Sequence, residues 1–423
     1  MDSKIKICVI GLGYVGLPLA RLFSTQFPTI GFDIDQQRVD EVMHGHDSTS
    51  EVSDGLLQEA LTRHGLRCTT NIEEIRDCNF YVVAVPTPVR NDHTPDISII
   101  LNASETIGRV IARGDIVVYE STVYPGMTED ECIPVIERVS GLTYNVDFYA
   151  GYSPERINPG DKEHTVDKII KVTSGSTPEV AEIVDRIYNT VLTNGTFKAS
   201  SIRVAEAAKI IENTQRDINI AFMNELARIF NAMGIDTHDV IEAAATKWNF
   251  IKLSPGLVGG HCISVDPYYL IHNAQSHGVF PRLMRNARFL NDSMGEYVAD
   301  EVIRLMNKKG ILVRDARVLI LGVTFKEDCP DIRNTQVKEL YKHLSEFIND
   351  ITIYDPYANA DIVMSEYNIG IVNTLPQQHY DVVILAVAHS VFLTLDITSM
   401  LNENSVVYDV KGVLPRDIID ARL

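Results

Sequence analysis

The chain has 423 residues, 45% of them hydrophobic and 22% charged, with 38 basic against 57 acidic side chains and a formal net charge of -19. That length exceeds what one ordinary core fills and predicts two or three domains, and the composition excludes a disordered or fibrous chain. The acidic excess repels nucleic acid and anionic membrane, so neither is expected as a partner, and a polyanionic ligand would need a locally positive pocket.

The N-terminus "MDSKIKICVIGLGYVG" runs from a lysine pair into a strand and a glycine turn, without a small-residue cleavage site behind an apolar core. No later run approaches the length of a membrane-crossing helix. The cysteines, Cys8, Cys68, Cys78, Cys132, Cys262 and Cys329, are scattered without CxxC pairing; this pattern fits a reduced cytoplasm and speaks against a zinc cluster. "KICVIG", "TIGFDID", "FYVVAVP", "DIVVYES" and "VDFYAGYSPE" are apolar, β-branched runs that end in turn or polar residues, as buried parallel strands do. They predict a doubly wound α/β domain over residues 1–200. "SIRVAEAAKIIENTQRDINIAFMNELARIFNAMG" follows, without proline and with Ile211, Phe222, Leu226, Ile229 and Phe230 at helical spacing. A helix of about thirty residues spans roughly 45 Å, a rod suited to joining domains or subunits, and it opens a central helical domain over residues 201–305. In residues 306–423, "RVLILGVTF", "ITIYDP", "DVVILAVAH" and "SVVYDV" restart the strand rhythm. Here "VILAVAHS" echoes "VVAVPTP" and "IYDPY" echoes "GFDID". The expected fold is therefore α/β, with two Rossmann-like doubly wound domains joined by a central helical domain. Only the first copy carries a full glycine fingerprint, so the second is expected to hold a different ligand.

That fingerprint, "VIGLGYVGLPLA", places Gly11, Gly13 and Gly16 between a strand and a helix. The first permits a tight turn, the second lets a pyrophosphate approach the backbone, and the third lets helix and strand pack closely. The helix N-terminus adds a positive field for phosphates. Asp33 ends the next strand about 20 residues on, where a carboxylate can accept the ribose hydroxyls; an acid there favours NAD over NADP. Arg38 could stack on the adenine or stand as an exposed helix arginine.

In "VGGHCISVDPYYL", Cys262 reads as a nucleophile, a small buried hydrophobe or a metal ligand. Gly259 and Gly260 permit a backbone shape and a close ligand approach that side chains would block, and Asp266 four residues on would be out of place in an apolar plug. His261, Cys262 and Asp266 could ligate zinc, but adjacent His and Cys seldom converge on one centre and no second cysteine is spaced to help, so no metal is expected. Lys209 and Asn213, four apart on the long helix, project from one face. They are either solvated surface or, among the alanines and isoleucines of "AAKIIENTQ", a partly buried pair able to stabilise an oxyanion.

"GLGYVGLP", "VPTP", "ESTVYPGMT", "SPER", "EAAKIIENTQRDINIAFMNE", "GLVGGHCISVDPYYL" and "GVTFKEDCPDIRNT" stand in the order seen in nucleotide-sugar 6-dehydrogenases, so nearly the whole chain resembles the UDP-glucose/GDP-mannose dehydrogenase family. "NTQRDINIAFMNE" and "KWNFIKLSPGLVGGHC" look most like its UDP-N-acetylhexosamine branch, which serves Vi-type capsules and O-antigens. The resemblance implies a four-electron oxidation of C6 from alcohol to carboxylate with two NAD in succession. Cys262 would form a thiohemiacetal and then a thioester, which water hydrolyses. It implies oxyanion donors at Lys209 and Asn213, acid/base work at Asp266, and a water and substrate network at Thr122 and Glu155. Around the cofactor it places Tyr14, Val15, Thr87, Ser121, Thr122 and Arg333 beside the glycines, Asp33 and Arg38. Around the substrate it places Arg156, Phe250, Gly259, Lys326 and Lys411, the two lysines being cations after strands on a chain that otherwise repels pyrophosphate. Trp248 and Phe250 could shape a sugar or uridine pocket or pack in a core.

One departure is Ser264, where many relatives carry proline; Tyr268 and Tyr269 are given no role. UDP-N-acetylglucosamine is favoured as substrate and UDP-N-acetylgalactosamine comes next, with UDP-N-acetylmannosamine or UDP-glucose as alternatives, since epimers differ by one hydroxyl orientation. A homodimer or higher homo-oligomer built on the long helix is expected. A two-electron hydroxyacid-type dehydrogenase would need neither Cys262 nor a third domain, and an idle NAD-binding regulator would be expected to lack one of Cys262, Lys209, Asn213 or Asp266.

Overall fold

A computed structural model describes residues 5–49, 51–90, 92–156, 167–260 and 262–423. The chain forms two compact units, Met1–Glu212 with Tyr268–His277, and Asn213–Pro267 with Gly278–Leu423. Among the described residues no helix is long and apolar enough to cross a membrane.

The first unit is built on a six-stranded sheet of order β3-β2-β1-β4-β5-β6, with β1 Ile7–Ile10, β2 Thr29–Phe32, β3 Arg67–Thr69, β4 Phe80–Val83, β5 Ile116–Tyr119 and β6 Tyr149–Tyr152. Every pairing is parallel. Strands β1, β2, β4 and β5 are buried at every residue, because helices cover both faces of a parallel sheet and leave no face for polar alternation. Two apolar clusters line those faces, one holding Ile10, Val83 and Tyr119, the other Val9, Leu17 and Val82. β1 lies between β2 and β4, so the order reverses there, and ligands of such sheets bind beyond the carboxyl ends at that reversal. A separate parallel pair, β7 Lys171–Thr173 and β8 Thr196–Lys198, belongs to the same unit. The strands β3, β7 and β8 were not anticipated: each has three residues, too few for a period to register.

The helix Ile202–Met233 spans 32 residues, as its unbroken 3.6-residue pattern predicts. Within the second unit, Asn224 on this helix pairs with both backbone groups of Gly256. Its Oδ1 accepts from Gly256 N at 2.8 Å, and its Nδ2 donates to Gly256 O at 3.1 Å and to Asn291 Oδ1 at 2.9 Å. Asn291 in turn donates to Asp217, which also takes an ion pair from the buried Arg288 at 2.5 Å. Asn224→Leu would leave the Gly256 N–H and C=O buried and unpaired. We expect it to cost about 2–4 kcal/mol, seen as a lower Tm in a thermal melt.

The second sheet has five strands in the order β10-β9-β11-β12-β13, namely β9 Arg317–Leu321, β10 Asp350–Tyr354, β11 Tyr380–Leu385, β12 Leu401–Asp409 and β13 Ala421–Arg422, again parallel throughout. The two-residue edge strand β13 is a further element that the sequence did not announce. The echo between the halves holds at the level of backbone. Gly11 after β1 has φ +90° and Gly322 after β9 has φ +93°. Leu12 N donates to Asp33 at 2.8 Å where Val323 N donates to Asp355 at 2.7 Å.

Candidate active site

In the first unit the glycine turn is shaped by contact. A Cβ on Gly11 would lie 2.7 Å from Ala84 O, and one on Gly16 would lie 1.7 Å from Gly11 O. Gly13 differs, since a Cβ there would meet nothing within 4 Å; protein packing does not require that glycine, whereas a pyrophosphate lying on the backbone would. The helix Gly16–Ser24 has no side-chain cap at its N-terminus; Leu17 N is spent on Gly13 O and Pro18 has no N–H, so the helix offers an anion chiefly the positive field of its N-terminal end. Asp33 is half-buried, its Oδ2 fixed by Leu12 N at 2.8 Å and its Oδ1 by Asp35 N at 3.0 Å. This arrangement fits NAD. Gly16→Ala should destabilise the fold by about 1–3 kcal/mol or more through overpacking and lose NAD binding with it. Gly13→Ala should keep the wild-type Tm while binding NAD more weakly, as calorimetric titration would report.

Tyr14 is exposed and Val15 half-buried beside this turn. Arg38 is not a solvated helix arginine. Its side chain is 10% exposed and pairs with Asp47 at 2.6 Å, while Nε donates to Leu12 O at 2.8 Å. The guanidinium thus ties the helix after β2 to the glycine turn. Thr87 and Ser121 are buried, and Ser121 Oγ donates to Val85 O at 2.7 Å, linking the ends of β4 and β5. Thr122 follows, half-buried. Tyr269 donates to Pro88 O at 3.1 Å, and Tyr268 stacks on His93 with ring centroids 4.3 Å apart. These contacts give both tyrosines a packing role against the "VPTP" loop.

Several residues of this unit escaped the sequence reading. Glu206, on the long helix three residues before Lys209, accepts from Gly126 N at 2.6 Å and Thr128 N at 3.0 Å and so fixes the "YPGMT" turn. Burial pushes its carboxyl up to about 7. Glu155 is buried, and its Oε1 accepts from Arg156 N at 2.6 Å; Arg156 itself is paired to Glu212 at 2.8 Å. Beneath Glu155 lie Glu120, Lys171 and Tyr188, all buried. An acid beside "STVYPG" was a visible signal for Glu120, but nothing around Lys171 marks it.

In the second unit, the loop of Cys262 is held on both sides. Gly260 N donates to Arg333 O at 3.0 Å, and Asn334 Nδ2 donates to Gly260 O at 3.2 Å. A Cβ on Gly259 would meet Asn334 O at 2.9 Å, and one on Gly260, where φ is +88°, would strike the Phe325 ring at 2.8 Å. Within this unit the glycines make room for protein, not only for a ligand. Ser264 donates its hydroxyl to Gly260 O, a contact that proline could not make. Cys262 is half-buried, and its C=O accepts from Val265 N at 3.2 Å and Asp266 N at 2.9 Å, the first turn of the helix Asp266–Ser276. Asn213 Nδ2 donates to Asp266 Oδ2 at 2.5 Å across 53 residues of sequence. Asp266 is 1% exposed, Asn213 9% and Lys209 6%, so the solvated-surface alternative for the helix pair is excluded. His261 lies outside the described residues.

Farther along, Gly259 and Lys411 line one small cleft with Thr324, Phe325, Thr335 and Val387. Lys411 stands 3.8 Å from Glu327, and Arg333 pairs with Asp331 at 2.6 Å. The loop that carries Lys326 is clamped from below. Asp328 N donates to His389 Nδ1 at 2.9 Å, Ser390 N donates to Asp328 at 2.9 Å, and His389 Nε2 reaches Asp355 at 3.1 Å. Phe250 is half-buried, whereas Trp248, for which a core was one expectation, is 91% exposed.

Comparison with known proteins extends over the whole chain. Residues 5–192 match the NAD binding domain, 203–293 the central domain and 319–416 the UDP binding domain of the UDP-glucose/GDP-mannose dehydrogenase family. The chain is 54% identical to a UDP-N-acetyl-D-glucosamine 6-dehydrogenase of Pseudomonas aeruginosa over 100% of both chains. It is 51% identical to one of Salmonella typhi over 100% of this chain and 99% of the other. Among solved structures, the UDP-D-ManNAc dehydrogenase of Pyrococcus horikoshii superimposes with a TM-score of 0.89 at 28% identity, over 99% of this chain and 98% of that one. With a dinucleotide turn, a UDP binding domain and full-length likeness to such enzymes, the chain belongs to the UDP-glucose/GDP-mannose dehydrogenase family and is an NAD-dependent nucleotide-sugar 6-dehydrogenase.

Proposed function

We propose that the protein oxidises C6 of a UDP-N-acetylhexosamine, UDP-N-acetylglucosamine foremost, to the carboxylate for surface polysaccharide synthesis. The observation that carries the reading is the Asn213–Asp266 hydrogen bond at 2.5 Å, which joins two motifs 53 residues apart, one of them a single helical turn from Cys262. NAD supplies the hydride acceptor for each of the two oxidations.

In this reading a base takes the C6 hydroxyl proton as hydride leaves, giving the aldehyde. The Cys262 thiolate adds to that carbonyl to form a thiohemiacetal, whose oxyanion receives donors from Lys209 and Asn213. Loss of a second hydride leaves a thioester. Water activated by Asp266 then adds, the C–S bond breaks, and the thiol returns with the acid as product. Thr122 and Glu155 are given the ordering of water and substrate. Gly11, Gly13, Tyr14, Val15, Gly16, Asp33, Arg38, Thr87, Ser121, Thr122 and Arg333 serve the cofactor. Arg156, Phe250, Gly259, Lys326 and Lys411 serve the nucleotide sugar. Residues 1–200, 201–305 and 306–423 are the cofactor, central and nucleotide-sugar domains of this scheme.

A homodimer built on the long helix is part of the proposal. Val204, Ile211, Phe222, Ile229 and Met233 are all exposed on that helix, and their spacings of seven, eleven and four residues keep them on one stripe. A cytoplasmic setting agrees with cysteines that form no disulfide among the described residues. The test is NADH release against UDP-N-acetylglucosamine, UDP-N-acetylgalactosamine, UDP-N-acetylmannosamine and UDP-glucose. Two NADH per sugar are expected, with the highest kcat/KM for the first. One NADH per sugar would overturn the four-electron reaction, and a preference for another sugar would overturn the substrate.

A further inference from the structure

Lys171 is 0% exposed, in the middle of the first unit. An unpaired ammonium buried so deeply would shed its proton, and this one is instead closely held. Its Nζ lies 2.5 Å from Glu120 Oε2 and donates to Pro154 O at 3.0 Å. The other oxygen of Glu120 accepts from the Tyr188 hydroxyl. Pro154 is the residue before Glu155, and the same ammonium stands 3.7 Å from Glu155 Oε2. Lys171 therefore acts on Glu155 twice, through the carbonyl that leads into it and through charge at the carboxylate.

The Glu155 side chain is 11% exposed, an environment in which a carboxylate without a cation is pushed toward its neutral form. Among the described residues, its charged and titratable neighbours include Lys171 on β7, Glu120 at the end of β5, Tyr188 on the helix Pro178–Val191, and Arg156 beside it, which pairs with Glu212 of the long helix. Of the two carboxylates that share the ammonium, Glu120 is the more deeply buried. Burial, outweighing Lys171, pushes its carboxyl up to about 7.

We propose that Lys171, fixed by Glu120 and Tyr188, is a positioning residue that orients Glu155 and keeps its carboxylate charged for its work on water and substrate. The inference rests on the reading of Glu155 in the proposed function and adds a buried pair to which that reading gives no part.

The test is the pH dependence of kcat for the full-length enzyme and for Lys171→Met, Glu120→Gln/Lys171→Met and Glu155→Gln. Removing a cation disfavours the carboxylate and raises its pKa, so the inactive protonated form persists to higher pH. The acid limb of Lys171→Met should move up by about one pH unit or more, with KM for NAD unchanged. The double variant, in which neither charge is left alone, should recover the wild-type Tm yet keep the displaced limb. A folded Lys171→Met or double variant with the wild-type limb would overturn the inference. So would a double variant that cannot fold, because the pair would then be serving the fold itself. Glu155→Gln should be inactive at every pH. Wild-type activity in it would remove the role of Glu155 and this inference together, whereas an inactive Glu155→Gln with an unmoved Lys171→Met limb would remove the inference alone.

Discussion

Cys262→Ala is expected to end uronate formation while NAD still binds. The backbone of this residue is set by others: Val265 N and Asp266 N hold its carbonyl, and Arg333 and Asn334 hold Gly260, two residues before it. The half-buried thiol adds little packing, so alanine should fold into the same loop and lose only the sulfur. Without that sulfur the aldehyde has no covalent anchor and no thioester can form, and loss of a nucleophile typically costs about three orders of magnitude or more in kcat. Product analysis by mass and NADH stoichiometry would measure this. Undiminished uronate output from the variant would remove the thioester from the mechanism.

Lys209→Ala is expected to lower kcat by about 10²-fold or more, the usual effect of deleting one oxyanion donor. Lys209 is 6% exposed and precedes Asn213 by one turn of the helix Ile202–Met233. Alanine is the best helix former, so the helix should persist and the loss should fall on the chemical step rather than on NAD affinity. Lys209→Arg should not restore the rate, since a planar fork does not replace a compact ammonium. Wild-type kcat in Lys209→Ala would refute the oxyanion role.

The sheet cores were legible because β1, β2, β4 and β5 are unbroken apolar runs, and the long helix because its pattern meets no proline. β3 is "RCT" and β13 only "AR"; pairing with a neighbour, not composition, makes them strands. The nearness of Asn213 to Asp266 could not be read from spacing, since folding rather than periodicity closes a gap of 53 residues; only the resemblance put the two in one site. Lys171 was invisible for a related reason. Nothing in "IIKVTS" marks its lysine as buried, and only folding brings Glu120 against it. Of the alternatives open for Arg38, the exposed helix arginine gives way to a side chain committed to Asp47 and Leu12 O, and of those for Trp248 the core gives way to a place at the surface.

An enzyme that hosts two nucleotides on related sheets must stop each from straying onto the wrong one. Asp355 occupies the position on the second sheet that Asp33 holds on the first, yet it is completely enclosed, receiving Val323 N, Thr324 N, Tyr357 N, Ala358 N and the imidazole of His389. No lone pair of that carboxylate is left over for a ribose. Saturated within its own sheet, that acid offers no acceptor to a dinucleotide's ribose, and the second sheet lacks the ribose contact that Asp33 can make on the first.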